Sequence, residues 1–101
     1  MATTKIESYT VMYSANKFVP RIWLKSAGKW IGQLIFRPNG SDLPADSESG
    51  GSVNLYYHQE EYPNAIDLLR NEEPVYLLYN GTKAENGLLT STEIVGEGEL
   101  K

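Results

Sequence analysis

Side chains able to perform covalent or metal chemistry are scarce in this sequence. It holds one histidine, His58, and no cysteine, which removes disulfides, thiolate metal sites and cysteine nucleophiles together. Glu60 and Glu61 follow His58 closely, and an imidazole beside carboxylates is able to hold a metal or act as a base. A structural zinc site, however, wants about four ligands and a catalytic one about three. No second histidine exists to complete either, so His58 reads as a partly exposed residue at the end of a strand. A serine triad would also have to use His58, and no Gly-x-Ser-x-Gly elbow surrounds any serine. Gly28 and Gly32 form no phosphate-binding fingerprint, and the Asn-Gly pairs at 39–40, 80–81 and 86–87 are turn chemistry. The expectation is a non-enzymatic protein without catalytic residue, metal or cofactor. A small enzyme or ligand carrier using His58 is the weaker alternative.

Cations and aromatic rings are the other chemistry-bearing groups, and their placement is uneven. The net charge of -4 argues against nucleic acid, because phosphate binding is supplied mainly by clustered Lys and Arg. Yet residues 1–37 hold six basic residues against one acid, Glu7, whereas residues 38–101 hold three against twelve. A basic third joined to an acidic remainder suggests a charged face for a partner. The alternative is that the two sets neutralise one another across the fold.

The elements that position these groups follow from hydrophobic period. Alternation in the first third predicts a three-stranded antiparallel meander, over about Lys5–Tyr13, Phe18–Lys25 and Lys29–Arg37. Its turns fall at Ser14-Ala15-Asn16 and Ser26-Ala27-Gly28, where Gly28 supplies a positive φ. Pro20 lacks a ladder donor and so belongs at an edge or bulge. The stretch 38–51, with two prolines, several glycines and acids, reads as a mobile acidic loop. Ser52–His58 is a fourth strand. Tyr62, Ala65, Ile66 and Leu69 then mark one face of a short helix that Pro63 helps to open and Asn71 and Pro74 close. Val75–Tyr79 and Leu88–Val95 are two further strands, and residues 96–101 a frayed tail. The predicted fold is a single α+β domain over residues 1–101, an antiparallel sheet in the order ββββαββ with the helix packed on one face.

Alternation also assigns faces. Ile6, Met12, Phe18, Ile22, Leu24, Trp30, Leu34 and Phe36 read as core. The opposite face would then gather Lys5, Tyr9, Tyr13, Arg21, Trp23, Lys25, Lys29 and Arg37, with Tyr56 and His58 added from the fourth strand. Flat rings among cations are what single-stranded nucleic acid needs, since phosphates take the charge while bases stack, at about 1–3 kcal/mol per base. In that reading Arg21, Lys25, Lys29 and Arg37 contact phosphates, and Tyr9, Tyr13 and Trp23 stack on bases of single-stranded DNA or RNA. The same face also carries Val11, Val19, Ile31 and Ile35, which suit a protein interface, either self-association as a homodimer or a hetero-partner. A register slip of one residue would exchange the two faces.

The stretches FVPRIWLKSAGKWIGQLIFRPNGS, GGSVNLYYH, DLLRNEEPVYLLYNG and ENGLLTSTEIVGEGE resemble blocks shared by a group of small uncharacterised bacterial proteins, a resemblance that implies no activity. At the level of topology, four strands followed by a helix is similar to the Whirly-type single-stranded DNA-binding regulators. That similarity carries no motif and transfers no residue role, and the acidic pI and the two strands after the helix depart from it. No apolar run approaches the roughly eighteen residues a membrane span needs, and the N-terminus lacks a basic-then-apolar signal pattern. A soluble, cytoplasmic protein is expected.

Overall fold

The computed structural model describes residues 2–92 and Val95. Two sheets replace the single sheet expected. Strand β1 (Ala2–Lys5) lies at one edge of a three-stranded antiparallel sheet, beside β7 (Val75–Tyr79), which is flanked in turn by β8 (Gly87–Thr90). The five-stranded sheet runs β2 (Ser8–Met12), β3 (Arg21–Ser26), β4 (Lys29–Arg37), β6 (Ser52–His58) and β5 (Ser47–Ser49). One 3₁₀ turn at Gln59–Glu61 leads into the helix α1, Tyr62–Asn71. The α+β class therefore holds, while one antiparallel sheet in the order ββββαββ does not.

Two local events produce the difference. The first predicted strand divides at Ile6 and Glu7: the Ile6 amide donates to Val75 of the small sheet (2.9 Å) and the Glu7 amide to Lys25 of the large one (2.9 Å). Second, β5 forms within the stretch expected to be a loop and pairs antiparallel with β6, and the turn at Gly50-Gly51 then inserts β6 between β4 and β5. As a result β6 runs parallel to β4. The rest of that stretch is held by polar bonds. The Ser41 amide and hydroxyl both donate to the Pro38 carbonyl, Asn39 Oδ1 accepts from the Glu60 amide, and Asp46 Oδ1 accepts from the Tyr56 amide. The tail 96–101 and positions 93 and 94 of the last predicted strand lie outside the described residues.

The β3–β4 hairpin closes through Ala27 (φ 51°) and Gly28 (φ 77°), the two left-handed positions of a type I′ turn. Ala27 is an unfavoured residue there, and its amide donates to Glu7 Oε1 at 2.6 Å. One face of the large sheet is roofed. Ile22, Leu24, Leu34, Phe36, Val53 and Leu55 from that sheet, Ala65 from α1 and Leu77 from β7 form one buried cluster. Burying large aliphatic and aromatic side chains contributes about 1.5–3 kcal/mol each. Tyr62, Ile66 and Leu69 pack against the same cluster along with Ala65, so the helix buries the face its spacing predicts. Helix and small sheet lie on the same side, which leaves the other face of the large sheet as the place where strand side chains are available.

Candidate functional site

Register decides which residues share that second face. Opposite residues in a ladder point the same way. Thr10 pairs with Trp23, Trp23 with Gln33, and Gln33 with Asn54, forming one row across four strands; Met12, Arg21, Ile35 and Tyr56 form the next. Arg37 and His58 stand beyond them, and Lys25 stands at the other end beside Ser8. Of the seven residues expected to contact nucleic acid, four are therefore together on this face: Arg21, Trp23, Lys25 and Arg37.

Three are elsewhere. Tyr9 pairs with Leu24 and packs against the core. Tyr13 is 78% exposed, and its ring lies 5.8 Å from that of Tyr62, which places it on the helix side. Both shifts follow from the division of the first strand, because changing sheets at Ile6–Glu7 resets the alternation. Met12 consequently turns to the open face, 40% exposed, rather than into the core. Lys29 pairs with Ser26, one residue beyond the Lys25 position, and so points to the side opposite Trp23. Lys5 belongs to the small sheet, opposite Tyr76. Phe18 precedes β3 and is 62% exposed, not core.

Trp30 is the residue of this face that simple alternation misplaces. The β3–β4 register shifts between Leu24 and Lys25, so that Leu24 faces Gly32 while Lys25 faces Trp30, and Ile31 is the extra residue of a bulge. The bulge carries Trp30 to the open face, 52% exposed, and Ile31 into contact with the core. A signal existed in the sequence: an isolated glycine inside a strand, here Gly32, marks a bulge or a close backbone approach.

The two indoles then meet edge to face, with ring centroids 6.5 Å apart at 64°. Each has a cation over it: the Arg21 guanidinium carbon lies 5.3 Å from the Trp23 ring, and Lys25 Nζ lies 4.6 Å from Trp30. Such contacts contribute about 0.5–1 kcal/mol at exposed sites. An open recess of about 400 Å³ lies between Trp23, Trp30, Gly32, Gln33 and Ser52. Along its side, Gln33 Nε2 donates to Asn54 Oδ1 (2.9 Å) and Asn54 Nδ2 to Ser47 Oγ (3.3 Å). The Nε atoms of Arg21 and Arg37 are enclosed without a hydrogen-bond partner.

No Asp or Glu occupies an open-face position in the ladders of β2, β3, β4 or β6. The charge asymmetry of the sequence is thus a spatial one for Arg21, Lys25 and Arg37. His58 is engaged differently. Its Nε2 lies 2.7 Å from the Ser41 carbonyl, an acceptor only, so this nitrogen carries the proton and ties the 38–46 segment to β6. Among the described residues no three His, Cys, Asp or Glu side chains gather into a metal-binding group, and no helix is long and apolar enough to cross a membrane. The chain matches no family model, no curated protein and no solved structure.

Proposed function

We propose that this protein is a binding module that takes single-stranded nucleic acid, DNA or RNA, on the open face of its five-stranded sheet. The observation that carries the reading is an acid-free sheet face on a protein of net charge -4, with two indoles and a cation over each. Trp30 and Trp23 serve as stacking platforms, while Arg21, Lys25 and Arg37 neutralise phosphates. Gln33 and Asn54 offer amide groups to base edges. Rings of this kind tolerate any base, because every base has a π-face, so binding is expected to be weakly selective for sequence.

The test is a titration of intrinsic tryptophan fluorescence with a single-stranded oligonucleotide at two salt concentrations. Stacking on Trp30 quenches its emission. Neutralising three phosphates gives a slope of about -2 in log affinity against log salt, from roughly 0.7 per phosphate on single strands. Trp30→Ala weakens binding by about 5- to 160-fold, the equivalent of one lost stacked base at 1–3 kcal/mol. Absence of quenching at low salt, or an affinity indifferent to salt, removes the proposal. A protein partner on the same face is the second reading, favoured by the apolar Met12 and Ile35 set beside Arg21. It predicts that neither oligonucleotide nor salt affects the indoles.

A further inference from the structure

We infer that the free edge of β2 is a homodimer contact, through which two copies of this chain join their five-stranded sheets into one continuous sheet. Among the described residues each sheet ends in strands with an unpaired backbone edge, and native edges are normally blunted by charge, proline, bulges or shortness. Strand β5 has only three residues and carries Glu48, and β1 carries Lys5. Strand β8 leads toward residues outside the described set. By contrast β2, Ser8-Tyr9-Thr10-Val11-Met12, has neither charge nor proline, pairs with β3 without a register shift, and among the described residues has no neighbour on its other side. All of its residues but Tyr9 are exposed.

The occupant is a second copy because the strand is complementary to itself when reversed. With Thr10 on the two-fold axis, Ser8 stands opposite Met12 of the second copy and Tyr9 opposite Val11. Residues of equal parity pair, so outward N–H groups meet outward carbonyls whichever alternate set points out. Tyr9 and Val11 form an aromatic and β-branched cross-strand pair on the roofed side. No like charges meet. A five-residue edge about 17 Å long is short for a standard interface of about 800 Å² per partner. Tyr13 and Phe18, 78% and 62% exposed in the segment that follows β2, supply the remaining apolar surface.

A two-fold axis perpendicular to the sheet leaves both open faces on the same side. The two β3 strands then lie three strand spacings apart, about 14 Å, and the two Trp23–Trp30 pairs flank one surface. That consequence rests on the nucleic-acid reading, whereas the dimer does not.

The experiment is sedimentation velocity on the full chain over a concentration series without nucleic acid. The wild type is expected to be dimeric, and Thr10→Lys, which sets like charges face to face on the axis, monomeric with an unchanged far-ultraviolet spectrum. Val11→Glu is the second variant should Thr10→Lys fail to fold, and Trp30→Ala, on the open face, is expected to remain dimeric. A wild type that stays monomeric throughout overturns the inference. So does a dimer that both edge variants leave intact, or one that Trp30→Ala dissociates.

Discussion

Replacing Gly32 with alanine tests the way the two sheets are fitted together. Gly32 is buried in β4, opposite Leu24 on one side and Val53 on the other. Its backbone is not in the left-handed region, so space rather than φ makes glycine necessary. A Cβ built there would lie 2.6 Å from the Val53 carbonyl oxygen and 3.3 Å from Leu77 Cδ2. Carbon and carbonyl oxygen ordinarily approach to about 3.3 Å, so β4 and β6 would have to part by about 0.7 Å in a ladder spaced at about 4.8 Å. The Leu77 methyl group can turn aside; the carbonyl cannot move without disturbing the β4–β6 pairing. Overpacking of this kind destabilises by about 1–3 kcal/mol. At about 4–8 °C per kcal/mol for a chain of this size, Gly32→Ala should melt roughly 5–20 °C below the wild type by circular dichroism. Because Gly32 also lines the recess between Trp23 and Trp30, the same variant should shift tryptophan emission at temperatures where it is still folded. A melting temperature within two degrees or so of the wild type, with unchanged emission, would refute the argument that this close approach is native.

Three further outcomes follow from other positions. Ala27→Gly should raise stability by about 1 kcal/mol, because alanine at φ 51° carries the left-handed penalty that glycine escapes, and thermal melting would detect it. Burial first, and then the charges of Asp46 and Glu61, push the Tyr57 hydroxyl up to about 12. Its folded pKa thus exceeds the unfolded value of about 10, so its contribution is complete below pH 10 and is lost as pH rises through 12. That contribution amounts to roughly 3 kcal/mol, and Tyr57→Phe should flatten the alkaline limb of stability against pH between those values. Asp46→Ala removes acceptors used by the Tyr56 amide (3.1 Å) and Asn86 Nδ2 (2.9 Å). A loss of about 1–3 kcal/mol in denaturant unfolding is expected from those orphaned donors, and the Tyr57 hydroxyl should titrate at lower pH.

Much of the architecture was legible because period carries it. The helix was found by the spacing of Tyr62, Ala65, Ile66 and Leu69, all of which pack on the core, and Ile22, Leu24, Leu34 and Phe36 were found by alternation and are fully buried. Partnering was less visible. Alternation in Ser52–His58 says which side chains face inward, but not that β4 will be a parallel neighbour. Nor does it distinguish one strand of nine residues from two short strands in different sheets, since Ile6 and Glu7 interrupt nothing in the polarity pattern. Tyr9 and Tyr13 were lost from the site for that reason alone.

Trp30 shows how much of the composition of a sheet face can depend on one residue. Strict alternation through Lys29–Arg37 puts Trp30 with Leu34 and Phe36 in the core, leaving Trp23 as the one indole on the open face. One inserted residue, Ile31, reverses this for everything on the hairpin side of the bulge and for nothing beyond it. Trp30 moves out and Lys29 moves to the opposite side, while Gln33, Ile35 and Arg37 keep the faces alternation gave them. The exchange removes one cation from the face and adds one ring. It also brings that ring to Lys25, at 4.6 Å, and to Trp23, at 6.5 Å. Gly32 is the residue on which the arrangement turns, because only a backbone without Cβ can lie that close to Val53 beneath Leu77. Core packing and the composition of the open face are therefore coupled at a single position, and a change made for the sake of one is expected to appear in the other.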